Sequence, residues 1–205
     1  MKFFNNSAKG TYGMLSIALG GTIAMLLVQI VLFIYCLIKG EPVLSPFAFP
    51  VNIFMINNHY FANDTKDIYL GNITGQVLFF KPSLALQIYA GVYTILIWAA
   101  VSYIVFLVRK IIRSVVDGNP FIKENGKRLR IAGAVVILVP IILWISRISI
   151  ASQIITSINI ENVKLAATGL TDITYLCIGA GMFLIVLSEV FRIGTSLKEE
   201  NELTV

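Results

Sequence analysis

Polarity along this chain alternates in long blocks. Four apolar runs lie at about 14–38, 84–108, 131–152 and 173–193, separated by a long mixed stretch, a strongly basic stretch and a short, mildly polar one. The first two runs carry no charge; Arg147 lies near the far end of the third, and Glu189 and Arg192 near the end of the fourth. A helix rises about 1.5 Å per residue, so about 20 apolar residues cross a hydrocarbon core of about 30 Å. Lipid offers nothing for a bare peptide group to bond, so each run is predicted to be a helix. The pattern predicts an all-α membrane protein, a four-helix transmembrane bundle. No polar segment is long enough to fold alone, so residues 1–205 are read as one domain.

The connections differ in kind. The first, about 39–83, is too long for a simple link. Its segments 47–56 and 68–80 are rich in β-branched and aromatic residues, with Asn57, Asn58, Asn63 and Asp64 between them as turn formers. This predicts a small β-ribbon in the first extracytoplasmic loop, lying on the outer membrane face. The loop also holds His59, the lone histidine, which reads as a surface residue, and a sequon-like Asn72-Ile73-Thr74 that arises easily by chance. The connection at about 153–172 is short and carries no strand expectation.

Composition agrees: 57% of positions are hydrophobic and 13% charged, about half the charged share of a soluble domain. The net charge of +5 raises nucleic acid as a ligand, but placement argues against direct binding, because the cations flank the spans. With four spans, Lys2, Lys9, seven basic residues at 109–130, Arg192 and Lys198 share one side, eleven in all; Lys39, Lys66, Lys81, Arg147 and Lys164 share the other. The excess predicts that both termini and the 109–130 hairpin face the cytoplasm. The first run is too long for a signal-peptide core and reads as an uncleaved span. Cys36 and Cys177 lie inside spans with no disulfide or metal-ligand spacing, so neither metal nor cofactor is expected.

Beyond Val108 the pattern turns amphipathic. Ile111, Ile112, Val115 and Val116 share a face while Arg109, Lys110 and Arg113 point away, so the second helix is predicted to continue out of the membrane. Gly118 suits the helix end. Asn119 is placed to cap the next helix, with Pro120 at its first position. Glu124 stands four residues before Arg128, the favourable order for a helical ion pair. The hairpin thus reads as two capped helical projections.

These residues carry a resemblance. Gly118-Asn119-Pro120-Phe121, then Asn125, Arg128-Leu129-Arg130 and Gly133, together with Glu189-Val190-Phe191-Arg192-Ile193-Gly194 and the ending Leu197-Lys198-Glu199-Glu200-Asn201-Glu202-Leu203-Thr204-Val205, resemble the bacterial four-span membrane proteins catalogued as domain of unknown function 2975. The resemblance covers essentially the whole chain and implies architecture rather than chemistry. It also implies a pairing with a small cytosolic helix-turn-helix regulator. Claudin-like proteins differ: their first loop carries a Trp and a Cys pair, absent here, and tetraspanins place the large Cys-rich loop second.

No paired-His spacing, phosphate loop, nucleophile elbow or intramembrane carboxylate cluster occurs, so no catalytic residue is expected. Two polar groupings remain. At the cytoplasmic end, Asn119, Pro120, Phe121, Arg128, Arg130, Glu189 and Arg192 form a candidate interaction or switch surface. Glu189 reads either as a switch bridging to Arg128 or Arg130, or as an interfacial carboxylate reaching to water. At the outer end, Gln29, Gln87, Arg147 and Asp172, with Tyr89, Tyr93 and Trp144 nearby, read either as a polar pocket for an anionic or lipid ligand or as an aromatic belt with one snorkelling arginine. Ser16, Gly20 and Ala24, and Gly179 with Gly181, are small faces for packing within the bundle or for a homodimer seam. Pro140 is expected to kink the third span. The basic hairpin can hold anionic lipid headgroups.

Two functions follow as expectations. One is a non-enzymatic inner-membrane sensor or regulatory partner of a small helix-turn-helix regulator. The other is a small transporter or immunity-type protein using the outer pocket.

Overall fold

The computed structural model describes the backbone of residues 2–40, 47–55, 73–79, 83–157, 163–167 and 172–203. Helices α1 (Lys2–Lys39), α2 (Leu84–Val116), α3 (Lys123–Ser157) and α4 (Asp172–Leu203) dominate. All four are long and apolar enough to cross a membrane, and the chain is a multi-pass membrane protein.

The surface follows from that solvent. Ile17, Leu176 and Phe183 are each more than 60% exposed, as lipid-facing side chains should be. Lipid supplies no drive to hide them, so helices approach through small residues and polar pairs instead. The α3/α4 seam illustrates this. A Cβ on Gly133 would stand 2.7 Å from the carbonyl of Gly181, and a Cβ on Gly126 3.3 Å from that of Ser188. Gly91 of α2 likewise leaves room for the ring of Phe33 in α1. By contrast, nothing stands within 4 Å of where a Cβ would sit on Gly20 or Gly179, so those small faces are open.

Packing follows chain order: α1 on α2, α2 on α3, α3 on α4. The α1/α2 pair is closed at the end nearest the N-terminus by Arg109, whose Nε donates to Ser16 Oγ at 2.9 Å and whose NH2 donates to Tyr12 Oη at 2.8 Å. The guanidinium also lies 4.8 Å from the Tyr12 ring centre, a cation–π arrangement. The start of α1, end of α2, start of α3 and end of α4 therefore share one end of the bundle, the terminal end.

Three strands lie toward the other end. β1 (Phe47–Met55) pairs antiparallel with β2 (Ile73–Phe79), Phe47 opposite Phe79, and with β3 (Val163–Ala167), Val51 opposite Ala167. Strand order is β2-β1-β3, with β3 coming from the stretch that carried no strand expectation. His59, Asn72 and the Asn/Asp turn formers lie outside the described residues.

Helix α1 contains the apolar run at about 14–38 and extends back to Lys2, because a helix leaving the membrane needs no apolar run. Two local expectations are corrected. Helix α3 starts at Lys123, so Asn119 does not cap it and Pro120 is not its first position. Arg128 turns to Asn125 rather than to Glu124. Both have one cause, the buried side chain of Asn125.

Candidate functional site

The α2–α3 corner is built around Asn125, which is fully buried. Its amide nitrogen donates to the hydroxyl of Ser114 in α2 and to the carbonyl of Pro120 at 2.9 Å. Its carbonyl accepts from Arg128 at 2.8 Å, and the same Arg128 nitrogen reaches the Lys110 carbonyl at 3.5 Å. Ser114 in turn donates to the Ile111 carbonyl at 2.7 Å. A buried amide needs partners for both its donor and acceptor groups, and here three segments supply them. Gly118 makes the turn with φ of +80°, a backbone region that a Cβ disfavours. The backbone N–H of Asn119 then donates to the Ser114 carbonyl at 2.9 Å.

The same corner is fastened to α4. The rings of Phe121 and Phe191 are 5.5 Å apart, and Phe121 lies over Gly194, where a Cβ would sit 2.9 Å from the ring. Lys198 Nζ donates to Asn119 Oδ1 at 3.5 Å, and Lys123 pairs with Glu199 at 2.9 Å. The helical projections and the end of α4 thus form one body.

Beside this corner, between the first turns of α3 and the last turns of α4, runs a groove of about 700 Å³. Lys123, Lys127 and Arg130 enter from α3 and Arg192 from α4; Ile193 and Leu197 give it an apolar wall. Glu189 sits beside it and accepts from Arg130 and, at 2.7 Å, from Arg192 Nε. Of the two bridges weighed from sequence, Glu189 meets Arg130 and not Arg128.

At the opposite half of the bundle the four polar residues grouped from sequence are not gathered. Arg147 lines a cleft of about 480 Å³ between α2, α3 and α4, with Tyr93, Pro140, Trp144, Thr174 and Cys177, and Tyr89 is close by. Gln87 instead accepts from Cys36 Sγ at 2.9 Å, in the α1/α2 seam. Gln29 is half-buried on α1, and Asp172 is exposed at the first turn of α4; neither lines the cleft. The indole N–H of Trp144 is buried in this region with no hydrogen-bond partner among the described residues.

Sequence reading missed Ser114 and the wall formed by Ile193 and Leu197. A signal for the groove was present: Gly126, Arg130 and Gly133 recur at helical spacing on one face of α3, against Ser188 and Gly181 of α4.

No curated protein and no solved structure matches the chain. A family model does match, over residues 68–205, more than half of the chain, and its description is a protein of unknown function.

Proposed function

From the premise that this chain belongs to the DUF2975 family of proteins of unknown function, we propose a non-enzymatic regulatory role. The chain is a bacterial inner-membrane protein whose cytoplasmic end docks a small helix-turn-helix regulator. The eleven cations of the terminal end against five elsewhere support a cytoplasmic placement of both termini. The three strands then form a small sheet over the outer membrane face.

The observation that carries this reading is the Asn125 lock. It holds Asn119, Pro120 and Phe121 at fixed positions and ties them to α4, so a partner meets a preformed surface and loses little ordering entropy. Asp117, Asn119 and Glu124 are exposed at its tip. The test is capture, by tagged full-length protein from solubilised membranes, of any small helix-turn-helix regulator encoded beside the gene. Enrichment that is lost in the Asp117→Lys, Glu124→Lys double variant is expected. No enrichment, or enrichment indifferent to that change, overturns the reading.

A small transporter or immunity-type role is the second reading. It draws on the cleft beside Arg147 and on the Trp144 indole, which has no hydrogen-bond partner among the described residues. Gln87 faces α1 and does not line the Arg147 cleft, which weighs against the wider pocket that this reading needs.

A further inference from the structure

We propose that the groove between α3 and α4 binds the phosphate of an anionic phospholipid, and that Glu189 is an internal competitor which that phosphate displaces. The site goes beyond the docking reading and does not depend on it, since the tip residues Asp117 and Glu124 lie outside the groove.

Charge is the first argument. Four cations line the groove, Lys123, Lys127, Arg130 and Arg192, and two carboxylates face them, Glu199 and Glu189. Lys123 is paired with Glu199, and Arg130 and Arg192 share Glu189. Lys127 is exposed and makes no ion pair among the described residues. The groove is therefore net positive, and an anion entering it gains more cations than Glu189 alone engages.

Geometry is the second argument. Arg130 and Arg192 come from different helices and converge on the two oxygens of one carboxylate, Oε1 and Oε2. Guanidinium groups aimed at adjacent oxygens also suit phosphate, which offers them the same spacing and more oxygens. Glu189 holds these two side chains in the geometry that the ligand requires. The first turn of α3, which begins at Lys123, adds the positive end of its dipole.

Depth is the third argument, and it selects a lipid over a soluble phosphate. Arg130 stands immediately before the apolar run that starts at Ile131, and Arg192 stands where the apolar run of α4 ends. The groove therefore opens at the boundary between hydrocarbon and water, where headgroup phosphates lie. Its wall of Ile193 and Leu197, each 56% exposed, matches the glycerol and upper acyl region of a lipid rather than a solvated ion.

The test is native mass spectrometry of the purified full-length protein in neutral detergent, titrated with phosphatidylglycerol, with phosphatidylcholine and separately with inorganic phosphate. Retention of phosphatidylglycerol over phosphatidylcholine is expected. Lys127→Gln, an exposed position whose loss leaves packing intact, should weaken that retention about fivefold, and so should Arg192→Gln, following the usual contribution of one cation near a charged surface. Glu189→Gln should strengthen it several-fold, because the competitor is neutralised while its shape is kept. Equal retention of the two lipids, or a Glu189→Gln variant that binds phosphatidylglycerol no better than wild type, overturns the proposal. Inorganic phosphate that binds while phosphatidylglycerol does not would also overturn it, and would assign the groove to a soluble anion.

Discussion

The side-chain amide of Asn125 in α3 donates to the hydroxyl of Ser114 in α2, and both residues are buried at the corner where the two helices meet. Replacing Asn125 with Leu would leave the buried Ser114 hydroxyl, and the half-buried Pro120 carbonyl and Arg128 guanidinium, without this partner. A buried polar group so stranded costs about 1–3 kcal/mol, and less where water reaches it. The expected outcome is a clear fall in the thermal unfolding midpoint in detergent. Ser114→Ala should cost less, about 1 kcal/mol, since Asn125 keeps its bond to Pro120. An Asn125→Leu protein that unfolds at the wild-type temperature would refute the lock.

The glycines separate into two groups. Gly133→Ala places a methyl against the Gly181 backbone and Ile185, neither of which can yield cheaply, and overpacking of this kind costs about 1–3 kcal/mol. Gly20→Ala and Gly179→Ala meet open space and should leave the unfolding midpoint unchanged or slightly raised. Chromatographic mass in detergent gives a second reading of the same variants. A Gly20→Ala chain that changes oligomeric state would make the open face of α1 a homodimer seam.

Arg109 links α1 to α2 at the terminal end through polar contacts. Arg109→Ala removes two hydrogen bonds and a cation–π contact, and leaves Ser16 and Tyr12 without them. Hydrogen exchange in nanodiscs should quicken across residues 8–16 and stay unchanged in α4. Unchanged exchange in α1 would show that packing around Phe33 and Gly91 suffices.

Orientation is open to a direct reading. In a background with Cys36 and Cys177 replaced by Ala, Lys39→Cys should react with a membrane-impermeant maleimide in intact cells. Lys198→Cys should react only after the inner membrane is opened. The reverse pattern would place the groove and the corner on the outer side and remove the proposed cytosolic partner.

The four helices were legible because a span leaves an unbroken apolar run, and nothing else in a sequence looks like it. Helix ends were less so. The start of α1 at Lys2 has no hydropathic mark, and the Asn119-Pro120 pair offered a sound local start for α3 that a distant contact overrode. Burial of Asn125 against Ser114 places Pro120 as an acceptor in the turn, and no spacing within the hairpin reveals that. The partner of Glu189 was more accessible. On α3, Arg130 shares a face with Gly126 and Gly133, whereas Arg128 is turned about 200° away, at about 100° per residue, and looks toward α2. The outer polar residues were grouped by depth alone, and depth does not tell which side of α2 a residue occupies; Gln87 and Arg147 lie in different seams.

Packing in chain order has a consequence for biogenesis. The molecule consists of two helical hairpins, α1 with α2 and α3 with α4, joined at α2/α3 through the lightest of the three helix interfaces. Each hairpin places its own partner next to it as it leaves the ribosome, so each can form on insertion without waiting for distant chain. What remains is the docking of one finished hairpin on the other, and the polar corner at Asn125 is where that step closes. The Asn125 corner thus ties one hairpin to the other by hydrogen bonds at the terminal end of the bundle.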